Sequence, residues 1–295
     1  MEVMIDCIPC HIRQAINASK NLIDDDKKIN ETVSKILKKA SSFDSFETNF
    51  HLYVQLNDIL KQVTGGRDPY KKQKRIFNSV CMGLEQELKG KIDSSDKPFE
   101  TAARIALAGN VIDIMQRLDH GIESVRASID QAFEQKMDKD LFRQLEDAIK
   151  KAKKILYIGD NAGEIVFDKI FIEFIISQGL ADKEDTYFAV RGGPTVNDVT
   201  LEDAREVGLD KIVNITDTGA ALPFAYLPFC SKSFNDMYKS SDLVISKGMG
   251  NFEGLMKEKG KDIFFLLKIK CSPIQKIIGN GHSIDDIVIL SSKDL

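Results

Sequence analysis

Residues 155–164 read Ile155-Leu156-Tyr157-Ile158-Gly159-Asp160-Asn161-Ala162-Gly163-Glu164. Four apolar residues run into a Gly-Asp-Asn-Ala-Gly turn, and a helix-like pattern follows. This is the order of a buried parallel strand, a tight turn and a helix N-terminus. The turn puts a carboxylate, an amide oxygen and backbone N–H groups within a few residues of one another. Hard cations take oxygen ligands and phosphates take helix N-termini, so one such turn suits both. Asp160 is equally suited to cap the helix. Strand ends of this kind are where α/β sheets bind ligands.

Downstream, short apolar runs alternate with helical stretches. Strands are predicted at Ile155–Ile158, Thr186–Val190, Lys211–Ile215, Leu243–Ile245, Ile263–Leu267 and Ile287–Leu290. Helices are predicted near Glu164–Gln178, Val196–Glu206, Lys232–Tyr238 and Phe252–Glu258. Such alternation defines an α/β class with a mainly parallel sheet and helices on both faces. Upstream, from about Ile8 to Lys153, apolar residues recur at three and four, as in Leu52, Leu56, Ile59, Leu60 and Val63. That period predicts helices, broken at Ser41-Ser42, 64–69 and 93–98. Asp68-Pro69 reads as an N-cap with Pro at the first helical position. The change of period divides the chain into a helical domain over 1–150 and a sheet domain over 151–295.

The 295 residues are 43% hydrophobic and 29% charged, with a formal net charge of -4, a globular composition. The charge argues against a dedicated nucleic-acid binder. No run of about 18 apolar residues suggests a membrane span. Met1-Glu2-Val3-Met4-Ile5-Asp6 lacks the basic start and apolar core of an export signal, so a cytoplasmic location is expected. The five cysteines are then expected as reduced thiols.

Four strand exits converge on one predicted sheet edge: 159–164, 190–198, 216–220 and 246–253. Asp160, Asn161 and Asp198 or Asp217 supply hard oxygens for Mg²⁺, Mn²⁺ or a similar ion. Their lack of histidine disfavours zinc. Arg191 and Lys247 offer fixed positive charge for a phosphate, one as a fork and one as a point charge. Gly192, Gly193, Gly248 and Gly250 let backbone N–H groups approach an anion. Metal, cations and backbone donors together suit phosphoryl transfer to water. Structural readings compete with each residue: Asp198 as a helix cap, Asp217 as a turn residue, Lys247 as a solvated strand end, Arg191 paired with a surface carboxylate.

These loops, with Asp68-Pro69-Tyr70 and Gly109-Asn110-Val111-Ile112-Asp113, resemble the damage-control phosphatase family over nearly the whole chain. Asp6-Cys7-Ile8-Pro9-Cys10 and Lys270-Cys271-Ser272-Pro273 look like its prokaryotic branch. The resemblance implies a helical N-terminal part and a Rossmann-like C-terminal part. It implies a divalent ion on Asp160, Asn161 and Asp198, of the set Mn²⁺, Co²⁺, Ni²⁺ and Mg²⁺. It also implies phosphate contacts from Lys247 and Arg191, and hydrolysis of sugar phosphates or damaged phosphometabolites. Catalytic roles are expected for Asp160, Asn161 and Lys247. Glu253 is expected to bind substrate or, like Glu164, to position water. Asn110 and Asp113, three apart on one helix face, are expected to read sugar hydroxyls. The stretch Thr216–Phe224 is more apolar than the family pattern, which suggests a less polar substrate if it faces the pocket.

Cys7-x-x-Cys10 with Cys271, and His11 as a fourth ligand, would make a structural metal site if they met; buried inert thiols are the alternative. Two other functions stay open. One is a carboxyl methyltransferase, disfavoured by the lack of a Gly-x-Gly turn after the first strand. The other is a non-catalytic protein that binds a phosphorylated metabolite. Whether Asp160 attacks as a nucleophile or water attacks directly is undecided by sequence, as is the oligomeric state.

Overall fold

The structure, a computed structural model, describes residues 4–110, 121–279 and 281–295. They divide into two compact units. The first comprises 1–71 with 194–196. Its helices are α1 (Cys7–Leu22), α2 (Asp26–Ala40) and α3 (Asn49–Thr64), packed through Ala15, Ala18, Ile36, Ala40, Leu52, Leu56 and Leu60. Asp25 and Thr48 cap α2 and α3 by accepting from Lys27 and His51 N–H. Asp68 accepts from Tyr70 N–H, and the next helix starts at Lys71.

The second unit comprises 72–193 and 197–295. Its helices before the sheet are α4 (Lys71–Met82), whose first residue is the last of the first unit, α5 (Glu85–Asp93), α6 (Pro98–Gly109), α7 (Gly121–Glu134) and α8 (Lys139–Lys151). Alternation follows: β1 (Ile155–Ile158), α9 (Glu164–Ser177), β2 (Thr186–Val190), α10 (Leu201–Glu206), β3 (Asn214–Asp217), α11 (Lys232–Ser240), β4 (Leu243–Lys247), α12 (Gly248–Leu255), β5 (Asp262–Lys268), α13 (Ser272–Ile278) and β6 (Ile287–Ser291).

The sheet order is β3-β2-β1-β4-β5-β6. All pairings are parallel except β5–β6. This is the doubly wound Rossmann order, in which strand order reverses between β1 and β4 and leaves a crevice at their carboxyl ends. Strand residues alternate between faces. Ile155 and Tyr157 join one core with α4 to α9, while Leu156 and Ile158 join the other with α11, α12 and α13.

The compositional boundary near 150 marks where β-α alternation begins. Compactness divides the chain elsewhere, at Lys71. Helix α9 shows why. Its sequence, Glu-Ile-Val-Phe-Asp-Lys-Ile-Phe-Ile-Glu-Phe-Ile-Ile-Ser, is apolar nearly all round, and nine of its residues are buried. Such a helix needs cover on both sides. The sheet provides one side, and residues of α5 to α8 share its core on the other.

Three predicted elements shift. The helix expected from Val196 begins only at Leu201. Val196 has φ 41°, outside right-handed helix, and the Thr200–Asp203 capping box starts the helix later. The third strand runs Asn214–Asp217, because Leu209–Lys211 forms a 3₁₀ turn first. The helix expected at 252–258 begins at Gly248, directly after β4. Helix α13 is additional to the predicted elements. No helix among the described residues is long and apolar enough to cross a membrane.

Candidate active site

The site forms at the switch point of the second unit. After β1, residues 160–162 turn back against 197–199. Asn161 and Asp198 form an antiparallel bridge; Ala162 N–H donates to Asn197 O, and Val199 N–H to Asp160 O. Backbone pairing, not a helix cap, therefore brings Asp198 beside Asp160 and Asn161.

Arg191, at the end of β2, holds both carboxylates. Its Nε donates to Asp198 Oδ2 at 2.6 Å, Nη2 to Asp160 Oδ1 at 3.2 Å and Nη1 to Asn251 Oδ1 at 2.6 Å. Asn251, on α12, also accepts from Ala225 N–H and donates to Gly159 O and Lys247 O. Its amide thus ties the exits of β1 and β4 together. Gly248 has φ +77°, and a Cβ there would lie 2.0 Å from Asp160 Oδ2. Only glycine lets the β4 exit close onto this carboxylate.

A second layer lies behind. Lys247 Nζ donates to Ala106 O at 2.6 Å and Asp168 Oδ1 at 2.5 Å, and pairs with Glu164 Oε1 at 2.7 Å. Tyr157 OH also donates to Asp168 Oδ1. Glu164 accepts from Asn110 and Asn161 Nδ2, and both amides also donate to Asp160 Oδ2.

These facts correct two expectations. The Lys247 side chain is 0% exposed, and three acceptors take the three protons of an ammonium. It is neither a solvated strand end nor a group with protons left for a phosphate. Arg191 is likewise fully buried, and its partners are site carboxylates rather than surface ones. Asn110 joins the cluster as the C-cap of α6, while Asp113 lies outside the described residues. Glu253, two residues from Asn251, points to the opposite side of α12 and makes none of the cluster's hydrogen bonds. Asp217 accepts from Gly219 N–H, a turn role. Leu222 and Phe224 in the apolar third loop are buried. Cys7 and Cys10 belong to the first unit, and Cys271 N-caps α13 in the second.

Asp168, Tyr157 and Asn251 belong to the cluster although the motifs do not single them out. A local signal exists for Asp168: it is the one acidic residue in the apolar stretch Ile165–Ile172, four residues from Glu164 and so on its face.

The donor chemistry fits a hard divalent ion. Asn161 Oδ1 and Asp198 Oδ1 accept no hydrogen bond from the described residues, while their partner atoms are engaged. Among the described residues no three His, Cys, Asp or Glu side chains by themselves form a metal cage. An ion here would rely on the Asn161 amide oxygen alongside carboxylates.

Burial, then the nearby Asp198 and Glu164 carboxylates, push Asp160 up to about 7 against the pull of Arg191 and Lys270. Burial raises Glu253 to about 7 as well. Burial alone would lower the Lys247 pKa, but Asp168 and Glu164 outweigh it and hold it above the ordinary lysine value. A pH effect follows. Both acids bind their proton more tightly folded than unfolded, so the folded state carries more protons between the ordinary carboxylate range and about 7. Stability of metal-free protein should therefore fall as pH rises across that window, by on the order of a few kcal/mol at most. Thermal melts in chelator from about pH 5 to about pH 8 read it directly; a melting temperature that rises across this interval would contradict the raised values.

A Rossmann-ordered sheet with carboxylates and amides gathered at its switch point defines a doubly wound α/β protein whose candidate site lies in the crevice where such folds bind ligands. Residues 3–284 match the damage-control phosphatase ARMT1-like domain, and the chain belongs to that family. It is 31% identical to protein MJ0202 of Methanocaldococcus jannaschii over 95% of this chain and 92% of that one. It is 29% identical to damage-control phosphatase PH1575 of Pyrococcus horikoshii over 94% of each chain. A damage-control phosphatase of Archaeoglobus fulgidus is also 29% identical, over 95% of this chain and 96% of that one. The crystal structure of the P. horikoshii DUF89 family protein PH1575 superposes with a TM-score of 0.84, at 26% identity and 99% coverage of both chains.

Proposed function

We propose that this chain is a divalent-metal-dependent phosphatase that hydrolyses phosphate monoesters of small metabolites, such as sugar phosphates or damaged phosphometabolites. Its family and the two relatives named as damage-control phosphatases support the phosphatase activity. The observation that carries the metal dependence is a surplus of charge. Among the described residues the side chains of Asp160, Glu164, Asp168 and Asp198 pair directly with Arg191 and Lys247, which leaves two formal negative charges in the cluster, with Lys270 and Lys74 acting on it from outside those pairs. A hard divalent cation offsets the two charges, and Asp160, Asn161 and Asp198 would hold it. Mn²⁺, Co²⁺, Ni²⁺ and Mg²⁺ are the candidates.

When bound, the ion would polarise a phosphoryl oxygen and the attacking water. The chain's own groups do the rest. Arg191 fixes the orientation of the Asp160 and Asp198 carboxylates. Among the described residues no side chain caps the first turn of α12, so a phosphate oxygen there would meet no competing side-chain acceptor for its N–H groups. Lys270, exposed after β5, exerts its charge on Asp160 and takes over the phosphate role expected of Lys247. Both Asp160 oxygens accept hydrogen bonds, which favours a held ligand over a free nucleophile and so direct attack by water.

The test is phosphate release from an aryl phosphate and a panel of sugar phosphates by metal-stripped protein, with each metal restored in turn. Restored turnover, reduced at least about a hundredfold in Asp160→Ala, is expected. Equal turnover in chelator and in metal would sink the metal dependence; no turnover with any metal from folded protein would sink the phosphatase reading.

A further inference from the structure

Helix α4 touches both loops that carry the candidate metal ligands. Lys74 and Asn78, four apart, lie on one face of it, and both are buried. Asn78 Oδ1 accepts from Gly163 N–H at 2.7 Å, at the end of the turn that bears Asp160 and Asn161. Its Nδ2 donates to Glu206 on α10 at 3.1 Å. Lys74 Nζ donates to the backbone carbonyl of Asp198 at 3.2 Å and to Asp203 Oδ2 at 2.6 Å. The same Asp203 oxygen accepts from Thr200 N–H and Oγ1. The glycine of the first loop is tightly seated: a Cβ on Gly163 would lie 3.3 Å from Cys81 Sγ and Phe77 Cβ of the same helix.

We propose that Lys74 and Asn78 are positioning residues: anchored on one rigid helix, they fix the separation of the 160–163 turn from the 197–200 segment and so set divalent-cation affinity. Lys74 meets the second loop at the Asp198 backbone carbonyl and Asn78 meets the first at Gly163 N–H. Backbone bridging aligns the two loops only over 160–162 and 197–199. Beyond the bridge each chain departs in its own direction, and α4 holds both departures. A cation shared by Asp160, Asn161 and Asp198 requires their oxygens at a fixed spacing, which outer groups of this kind maintain. The inference rests on the metal reading above.

The experiment is a calorimetric titration of metal-stripped protein with MnCl₂, with a thermal melt of each metal-free sample. The variants are Asn78→Ala and the charge-balanced Lys74→Met/Asp203→Asn. Arg75→Ala is the control, because Arg75 sits on the same helix and, among the described residues, pairs with Glu202 at an exposed position. Both test variants are expected to bind Mn²⁺ on the order of tenfold or more weakly while the metal-free protein stays folded; Arg75→Ala should stay within about twofold. Should Asn78→Ala fail to fold, the double variant decides. Test variants that are folded and bind Mn²⁺ as tightly as wild type would overturn the positioning role alone. Wild-type protein that binds no Mn²⁺ would overturn the metal reading itself.

Discussion

Arg191→Met is expected to destabilise the protein by about 3–5 kcal/mol, the usual cost of removing one partner from a buried ion pair. The side chain is completely buried and engages Asp198, Asp160 and Asn251 through three different nitrogens. Methionine fills much of the space but leaves two carboxylates, with Glu164 close by, facing one another in a site already short of positive charge. Arg191→Lys keeps the charge and loses the fork, so it should recover only part of the loss. The deficit should shrink as pH falls, because protonated Asp160 and Asp198 no longer need a counter-charge. Urea denaturation at two pH values measures both effects. A deficit below about 1 kcal/mol at pH 8 would show that Arg191 is not the electrostatic anchor of the two carboxylates.

Lys247→Met should have an effect of the same order, about 3–5 kcal/mol, and it separates two readings of the residue. A lysine that only grips phosphate would leave a stable, inactive protein on removal. A lysine whose ammonium is shared among Ala106 O, Asp168 and Glu164 leaves two buried acids unpaired. The double variant Lys247→Met/Asp168→Asn removes one of those charges and should regain part of the loss. The double-mutant cycle then gives the coupling energy, expected at on the order of 1 kcal/mol or more for residues in one network. Normal stability in Lys247→Met would return the residue to the phosphate.

These two variants bear on function through the same geometry. The atoms of the cluster left without a hydrogen bond from the described residues are the oxygens Asn161 Oδ1 and Asp198 Oδ1, while Arg191 and Lys247 are engaged between and behind the carboxylates. Under the proposed function, a phosphate would meet the cation, the N–H groups of α12 and exposed Lys270 rather than either buried cation. Exposed pairs such as Lys232–Asp236 contribute little by comparison, since solvent screens them.

Much of the site is legible in the sequence. The exits of β1, β2 and β4 follow from apolar runs with a glycine one to three residues beyond, and they do bring Asp160, Asn161 and Arg191 together. Asp198 is marked by its motif, but the helix expected around it does not form: it lies in an extended segment bridged to Asn161. The residue type suits a ligand, while the local pattern suggests a helix. Lys247 is the harder case, because a lysine after an apolar strand looks solvated in one dimension. Only the crossing of α6 and α9 behind β4 brings a carbonyl and two carboxylates to its ammonium.

The sequence by itself determined the elements whose signals are local. The four buried residues of β1, the turn after it and the apolar α9 are written in spacings of two to four residues, and the chain cannot form them otherwise. Tertiary structure alone decided the sheet order, the antiparallel β6, the joining of α4 to α8 with the sheet and the partners of each buried charge. Those depend on contacts between residues far apart in the chain, such as Lys74 with Asp203 and Lys247 with Ala106. No local pattern encodes such partners, because a buried charge is matched by whichever opposite group the packed helices and strands bring within reach.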